Sequence, residues 1–443
     1  MVIRIPKNVE YIINTINKNG HEAYIVGGCV RDSVMKIAPK DWDITTSAKP
    51  EEIKEMFDKT FDTGIQHGTV TVVINKENFE ITTYRIDGEY EDNRRPKEVV
   101  FTKNLIEDLK RRDFNMNAMA YHPEEGIIDP FDGMNDIENK IVSCVGKPDE
   151  RFNEDGLRML RAIRFSAQLG FDIDKETFES IKRNAGLIEN ISYERIRDEV
   201  SKTLVSDNPM KFLYINEVGI MDIIMPEFVD ALNTKQCHEY HCYDVGMHTI
   251  HAVDSIEKDF ILRWTMLFHD LGKVKTLKIK NGITHFYDHS IKSVEIADSI
   301  MKRFRFDNKS INKIKKFVKY HEERPELTEY GIRVLASKVG KDDFENFIKV
   351  QKADGMAKSD MKKEEVMFYE IEVKNIFEKI VREGHCIDRK QLAINGKDLQ
   401  TLGVKQGKEI GKLLELLFEE VLKYPEINKT EILKGKVKEM LND

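Results

Sequence analysis

Asp41 and Asp43 are one residue apart. On a strand alternate side chains face the same way, so the two carboxylates point together into one cleft. Carboxylates held that close repel each other unless positive charge lies between them. A pair of Mg²⁺ ions supplies it, and two metals on carboxylates are what nucleotidyl transfer needs. Upstream, the apolar run Tyr24-Ile25-Val26 ends at Gly27-Gly28, and a helical segment carrying Arg31 and Asp32 follows. Glycine after a strand lets backbone N–H groups come close to phosphate oxygens, because no Cβ intervenes. Taken singly, each feature has an ordinary explanation: a Gly-Gly is a turn, and an Asp-x-Asp is a solvated edge or a cap.

The joint pattern is more specific. Gly27-Gly28-Cys29-Val30-Arg31-Asp32, a gap, then Asp41-Trp42-Asp43-Ile44-Thr45-Thr46 resembles the active-site signature of the nucleotidyltransferases that include class II CCA-adding enzymes and bacterial poly(A) polymerases. Two runs, Gly68 to Ile74 and Phe79 to Arg85, read as a hairpin across the polar turn Asn75-Lys76-Glu77-Asn78. Glu80 on its second strand is the candidate for a third metal-facing carboxylate, with an outward strand position as the alternative. The polar segment Arg85 to Pro96 reads as a solvated loop, and it also looks like the family's flexible loop in enzymes able to add the terminal A. Glu107 to Ala118 reads as a capped surface helix. It also resembles the family's R-R-D-F-x-x-N-A element, which implies that Arg112 and Asn117, with Arg111 beside them, contact the nucleotide's sugar and phosphates.

Arg151 to Phe165, read as a helix, puts Asp155 and Arg158 on one face, with Arg161 and Arg164 continuing the line. A surface ion-pair row is the plain explanation. The chemical one starts from the bases. Cytosine and adenine each present an exocyclic amine donor beside an unprotonated ring nitrogen, whereas uracil and guanine present the reverse. An Asp acceptor beside an Arg donor therefore accepts C and A and leaves buried groups unpaired against U and G, which is worth roughly 10⁴ in discrimination. This E-D-x-x-R stretch resembles the family's amino-acid template for CTP and ATP, with Arg161 and Arg164 serving phosphates or holding the template.

A second constellation lies further on: His248, the run Trp264 to Lys273 containing His269-Asp270, then His289, His321 and Asp354. It resembles the HD phosphohydrolase superfamily. The resemblance implies one divalent metal on His248, His269, Asp270 and Asp354, with His289 and His321 on a substrate phosphate. Imidazole with carboxylate suits a divalent transition metal more than Mg²⁺.

These groups need scaffolds. A helix is expected from Pro6 to Lys18, stopped by Gly20, and others at Lys175 to Ile181 and Ser192 to Val200, the last with Ser192 as N-cap. The glycine-punctuated stretch Ala393 to Lys412, running into a helix from about Ile410 to Lys423, offers backbone N–H groups and lysines to phosphates and looks like the family tail that grips tRNA. The resemblance implies an α+β fold class: a nucleotidyltransferase palm with a mixed sheet (1–145), then an all-α neck (146–227), HD domain (228–375) and tail (376–443). Net charge is −8, so any nucleic-acid surface is a local basic stripe on an acidic body. The five scattered cysteines fit a reducing cytosol, and Cys237 and Cys242 have no second pair to complete a zinc site. No run spans a bilayer.

The expected function is CCA addition to tRNA from CTP and ATP, in the cytoplasm, with oligomeric state open. Four alternatives stand beside it: an A-adding enzyme, a poly(A) polymerase, a phosphohydrolase with an inactive transferase half, and a non-catalytic tRNA-binding protein.

Overall fold

The computed structural model describes residues 2–88, 90, 91, 95, 96, 99–236, 243–280, 283–358 and 363–442. The chain forms two compact units, Met1–Pro226 and Glu227–Asp443. Cys237 and Cys242 lie outside the described residues.

The first unit is built on a seven-stranded mixed sheet. Its strands are β1 (Ala23–Val26), β2 (Ile44–Thr46), β3 (Thr60–Gly64), β4 (Thr69–Ile74), β5 (Glu77–Thr83), β6 (Ala120–His122) and β7 (Gly126–Ile128), in the order β7-β6-β1-β2-β5-β4-β3. One face is apolar. Helix α1 (Lys7–Lys18) buries Val9, Ile12, Ile13 and Ile16, a 3–4 residue spacing, in one core with Ile25, Ile44, Val70, Val72 and Ile81 of the sheet. Each such side chain removed from water contributes about 1.5–3 kcal/mol. Because strand side chains alternate, burying Ile44 and Ile81 on this face sends their neighbours to the other one. The β4–β5 hairpin turns on Asn75-Lys76 alone, with Ile74 opposite Glu77. Both turn residues have positive φ (53° and 71°), as a two-residue turn requires, so the turn is shorter than the four-residue one expected.

The segment expected as a loop is partly a ribbon: Arg85–Asp87 pairs antiparallel with Val99–Phe101, and Tyr90–Glu91 with Arg95–Pro96. Another departure is that Asp41 and Asp43 precede β2 rather than lying in it, although the Asp43 carbonyl already accepts from Val26 N at 3.0 Å.

After α2 (Gly28–Val34), α3 (Pro50–Met56) and α4 (Leu105–Lys110) comes the largest correction. The single helix expected over 151–165 is two, α5 (Pro148–Glu154) and α6 (Leu157–Leu169), broken where Asp155 adopts an extended backbone. Gly170 (φ 69°) ends α6. Ser192 does occupy the N-cap position of α7 (Tyr193–Leu204), but its side chain makes no capping bond.

Among the described residues the second unit is helical apart from one hairpin, β8 (Leu277–Lys280) with β9 (Ile283–Phe286). Helices α8 (Val245–Asp254), α9 (Phe260–Phe268), α10 (His289–Arg303), α11 (Asn308–Tyr320), α12 (Glu329–Val339) and α13 (Phe344–Met356) supply the fully buried Trp264, Phe268, Phe317, Phe344 and Phe347. Helix α14 (Lys363–Arg382) runs unbroken through 375–376, where the sequence suggests that the tail starts. The tail has its own core, including Leu399, Leu413, Leu417, Val421 and Leu433, around α15 (Lys408–Lys423).

Candidate active site and metal centre

Asp43 and Glu80 are neighbours by register. The parallel pairing of β2 with β5 sets Ile44 beside Ile81 on the core side, so Asp43 and Glu80, one residue earlier on each chain, share the opposite face. Asp43 is exposed at the end of the loop that leads into β2. Desolvation by the surrounding protein raises its carboxyl above the usual range, Arg112 opposes that, and Glu80 and Asp41 raise it further. Asp41 and Glu80 thus both act on Asp43. Their oxygens are nonetheless not drawn within 4.8 Å of each other as a set. Gly27 holds a positive φ of 82°, and a Cβ there would come within 2.9 Å of Arg112 Nη1. Glycine is what lets the end of β1 lie against that guanidinium.

From Arg112 a polar network spreads across the face. Arg112 lies 3.7 Å from Asp108 Oδ2, and Arg111 is bonded to Asp108 Oδ1 at 2.7 Å. The fully buried Asp108 also accepts from Thr45 Oγ1. Arg31 donates to Asn117 Oδ1 at 2.8 Å, and Asn117 Nδ2 to Asp113 Oδ1 at 3.2 Å. Asp113 receives Arg161 through Nε (2.8 Å) and Nη2 (2.5 Å). Arg164 pairs with Glu199 at 2.6 Å. Arg31, Arg161 and Arg164 gather around the Phe165 ring at 5.1, 5.5 and 3.9 Å, a cation–π cluster set at right angles to Phe114.

Asp155 and Arg158 are brought together, but not as partners. The Asp155 carboxylate takes Arg195 at 2.7 Å and caps α6 through Leu157 N at 3.1 Å. Arg158 binds Glu154 Oε2 at 2.5 Å and the Arg111 carbonyl at 3.0 Å. Sequence reasoning missed Arg195, Glu154 and Asp113. Glu154 stood within the quoted motif, whereas Arg195 lies 40 residues from Asp155 and nothing local signals it.

In the second unit, His248, His269, Asp270 and Asp354 offer ligand atoms that all lie within 4.8 Å of one another, all buried, and Asp270 belongs to a second such group with His289 and His321. Every histidine is oriented in the same way. Nδ1 of His248, His269, His289 and His321 faces the carbonyls of Ala357 (3.3 Å), Met266 (2.6 Å), Phe286 (3.0 Å) and Val318 (2.7 Å). A carbonyl only accepts, so Nδ1 carries the proton and Nε2 turns inward, the arrangement that orients histidine ligands in metal sites. His248 Nε2 is 3.2 Å from Asp354 Oδ1 and 3.4 Å from Asp270 Oδ2. His289 Nε2 and His321 Nε2 face Asp270 Oδ1 at 3.1 and 3.6 Å. Against the effect of burial, Asp270 and Asp354 lift His269 to about 9. Asp270 is itself held well below the usual carboxylate range by His269 and Lys273 despite its burial. Inward-facing imidazole Nε2 and carboxylate oxygens in one buried space are a donor set that fits a divalent cation, which would displace the ring protons. Gly272 makes the cluster possible, since a Cβ there would come within 2.1 Å of the His289 carbonyl.

The Poly A polymerase head domain model matches residues 23–143, a polymerase A RNA- and SrmB-binding-site model matches 170–232, and a tRNA nucleotidyltransferase domain 2 model matches 278–437. A CCA-adding enzyme of Ligilactobacillus salivarius (strain UCC118) is 36% identical over 441 residues, covering 98% of this chain and 96% of that protein. The chain belongs to the CCA-adding enzyme family. Another member, from Geobacillus sp. (strain WCH70), is 52% identical over 226 residues, 51% of this chain and 56% of that protein. The solved CCA-adding enzyme of Bacillus stearothermophilus, in complex with CTP, has a TM-score of 0.75 at 26% identity, covering 99% of this chain and 98% of that one.

As a member of this family the chain is a nucleotidyltransferase, and enzymes of this kind use a divalent metal. No described helix is long and apolar enough to cross a membrane.

Asp113 ties the sheet face to α6. Although burial works against its charge, Arg161 and Arg158 hold its carboxyl down to about 2. A depressed carboxylate stabilises the fold above its unfolded value of about 4 and loses that contribution as pH falls toward the folded value. An Asp113→Asn variant is therefore expected to melt below wild type at pH 7, by an amount that is constant down to about pH 5 and then shrinks toward pH 3. Parallel melting curves across that range check this. A gap that widens on acidification contradicts it.

Proposed function

We propose that the chain builds or repairs the 3′ CCA end of tRNA from CTP and ATP without a nucleic-acid template. The observation that carries this is the register that sets Asp43 beside Glu80 with Arg112 facing them. Asp41 and Asp43 hold Mg²⁺ here, with Glu80 as the third carboxylate. Mg²⁺ held there would supply the positive charge that lowers the cost of ionising the primer 3′-hydroxyl and of releasing pyrophosphate. The protein's own groups do the positioning. Gly27 and Gly28 let the backbone come close to the phosphates, and Arg31, Arg111, Arg112 and Asn117 hold the sugar and phosphate chain. Arg161 and Arg164 anchor the network from α6.

Asp155 and Arg158 select the base. A carboxylate offers about four lone-pair sites. Arg195 and Leu157 N occupy three at Asp155, leaving an acceptor for an exocyclic amine. Glu154 and the carbonyls of Arg111 and Arg151 hold the Arg158 guanidinium, the donor proposed for the ring nitrogen. Along the chain we read 1–145 as the head, 146–227 as the neck carrying this selector, 228–375 as an HD domain and 376–443 as the tRNA-gripping tail. The buried free thiols Cys29, Cys144 and Cys386 support a cytoplasmic setting.

Purified protein given tRNA lacking CCA, tRNA ending in CC, or an unrelated RNA, each with CTP, ATP or both, tests this. Addition of C to the first substrate supports it. Adenosine added only to the CC-ended tRNA leaves an A-adding enzyme, and long A-tracts on unrelated RNA leave a polymerase. Binding of tRNA without addition leaves a non-catalytic protein.

For the second unit we propose a metal-dependent phosphohydrolase. A divalent transition metal is held by His248, His269, Asp354 and Asp270, and His289 and His321 bind a substrate phosphate. Dialysed protein loaded with Mn²⁺, Co²⁺ or Ni²⁺ should retain at least one ion per chain, and His269→Ala should lose it with CCA addition within about twofold of wild type. Equal metal retention in the variant sinks this assignment.

A further inference from the structure

Between Asp270 and Asp288 the chain carries four lysines, Lys273, Lys275, Lys278 and Lys280, and no carboxylate, although its net charge is −8. Lys273 is turned inward to Asp270 at 2.7 Å. The other three are exposed, and none of them forms an ion pair among the described residues. The lysines of α11 differ. That helix has five, but Lys313 and Lys316 are held by Asp343 and Lys315 by Asp298, each at 2.7 Å. Three of the α11 charges are thus neutralised within the fold, whereas those of the β8–β9 hairpin face solvent.

The register decides which residues share a face. Lys278 lies opposite His285, and strand alternation places Lys280 on the same side. The His285 ring stacks with that of Tyr287, centroids 5.5 Å apart and planes 4° from parallel, and Lys280 Nζ lies 5.8 Å over the Tyr287 ring. Tyr287 is 53% exposed. The other face of the hairpin turns inward, with Thr284 buried and Lys273 Nζ 5.3 Å over the Phe286 ring. Lysines along an exposed edge strand keep it from pairing with other chains, which accounts for the charge alone. Edge protection does not account for an open aromatic pair among the cations.

We propose that this hairpin face binds tRNA, with Lys278 and Lys280 on backbone phosphates and a base or ribose against Tyr287. Phosphates supply the negative charge that these lysines lack. An exposed ring among cations gives a base a surface on which to stack, a feature that an acidic peptide or a lipid headgroup leaves unused. The proposal rests on tRNA as the substrate proposed above, and it adds a contact surface apart from the residues that handle the nucleotide.

Fluorescence anisotropy of labelled tRNA lacking CCA, titrated with the full chain at several salt concentrations, tests it. The double variant Lys278→Gln with Lys280→Gln is expected to weaken tRNA roughly fivefold or more, and to make log affinity against log salt shallower by about 1.5, since each phosphate contact contributes about 0.7–0.9. Lys302→Gln with Lys315→Gln changes net charge equally but removes lysines that Asp298 already neutralises, so affinity and slope should stay as in wild type. Tyr287→Leu should weaken tRNA roughly threefold or more, and Tyr287→Trp should keep it. Affinity and slope unchanged in the hairpin double variant, or reduced as much in the Lys302 and Lys315 pair, overturns the proposal. So does a hairpin variant that keeps its tRNA affinity but no longer binds phosphatidylglycerol vesicles, which assigns the face to a membrane. Wild type that binds no tRNA fails the tRNA reading of the whole chain, whereas wild-type binding that the hairpin variants leave intact fails this proposal alone.

Discussion

Asp43→Ala is expected to reduce the rate of nucleotide addition by about 10³-fold or more while leaving the fold and tRNA affinity nearly unchanged. Metal-assisted charge stabilisation is worth several kcal/mol, and each 1.36 kcal/mol is tenfold in rate. The fold should be nearly indifferent because Asp43 is exposed, and because desolvation, Glu80 and Asp41 disfavour its charge against the opposing pull of Arg112. A control separates chemistry from structure. Ile44→Ala, one residue along but in the fully buried core, should cost about 2–5 kcal/mol of stability. Single-turnover addition to tRNA lacking CCA reads the rate. Activity in Asp43→Ala within tenfold of wild type would remove Asp43 from the catalytic set.

Arg158→Ala and Asp155→Asn carry the second large effect, on nucleotide choice. A site built to pair with a donor and an acceptor rejects the reverse pattern by about 10⁴ because the mismatch strands buried polar groups. Removing the Arg158 donor removes that penalty, so preference for CTP over UTP should fall to about tenfold or less. The fold survives, since Glu154 keeps Arg151 at 2.5 Å. Asn is chosen at Asp155 because its oxygen can still accept from Leu157 N, a bond that alanine would forfeit at about 1 kcal/mol. Melting curves matching wild type, with kcat/KM for CTP and UTP converging, are the expected pair of results. Arg195→Ala should act in the same direction but more weakly, by loosening Asp155 and not by touching the base.

Motif and periodicity reached a good deal of this. The 3–4 residue spacing of α1, the alternation in β4 and β5, and the Asp41–Asp43 and His269–Asp270 pairs were all visible as local signals. What escaped them was long-range or hinged on one residue. The helix over 151–165 breaks because Asp155 adopts an extended backbone followed by Gly156, whose missing Cβ lets it pack 3.0 Å from the Leu187 carbonyl. The i, i+3 logic that paired Asp155 with Arg158 presumed an unbroken helix. Arg195 supplies the actual partner from α7, 40 residues on, and no spacing rule finds it. Glu80 was a candidate only as a carboxylate on the second hairpin strand, and the parallel pairing of β2 with β5 that sets it near Asp43 is a feature of topology. The four inward Nε2 atoms of the second unit likewise depend on carbonyls of Met266, Phe286, Val318 and Ala357 that only the folded chain supplies.

The most direct test offers all four nucleoside triphosphates at equal concentration, with tRNA lacking its last three residues, to wild type and to Arg158→Ala, and sequences the products. The account predicts that wild type adds C, C and A and then stops, whereas Arg158→Ala inserts U and G at frequencies approaching those of C and A. Products from Arg158→Ala as faithful as wild type would place base selection elsewhere in the molecule and contradict it.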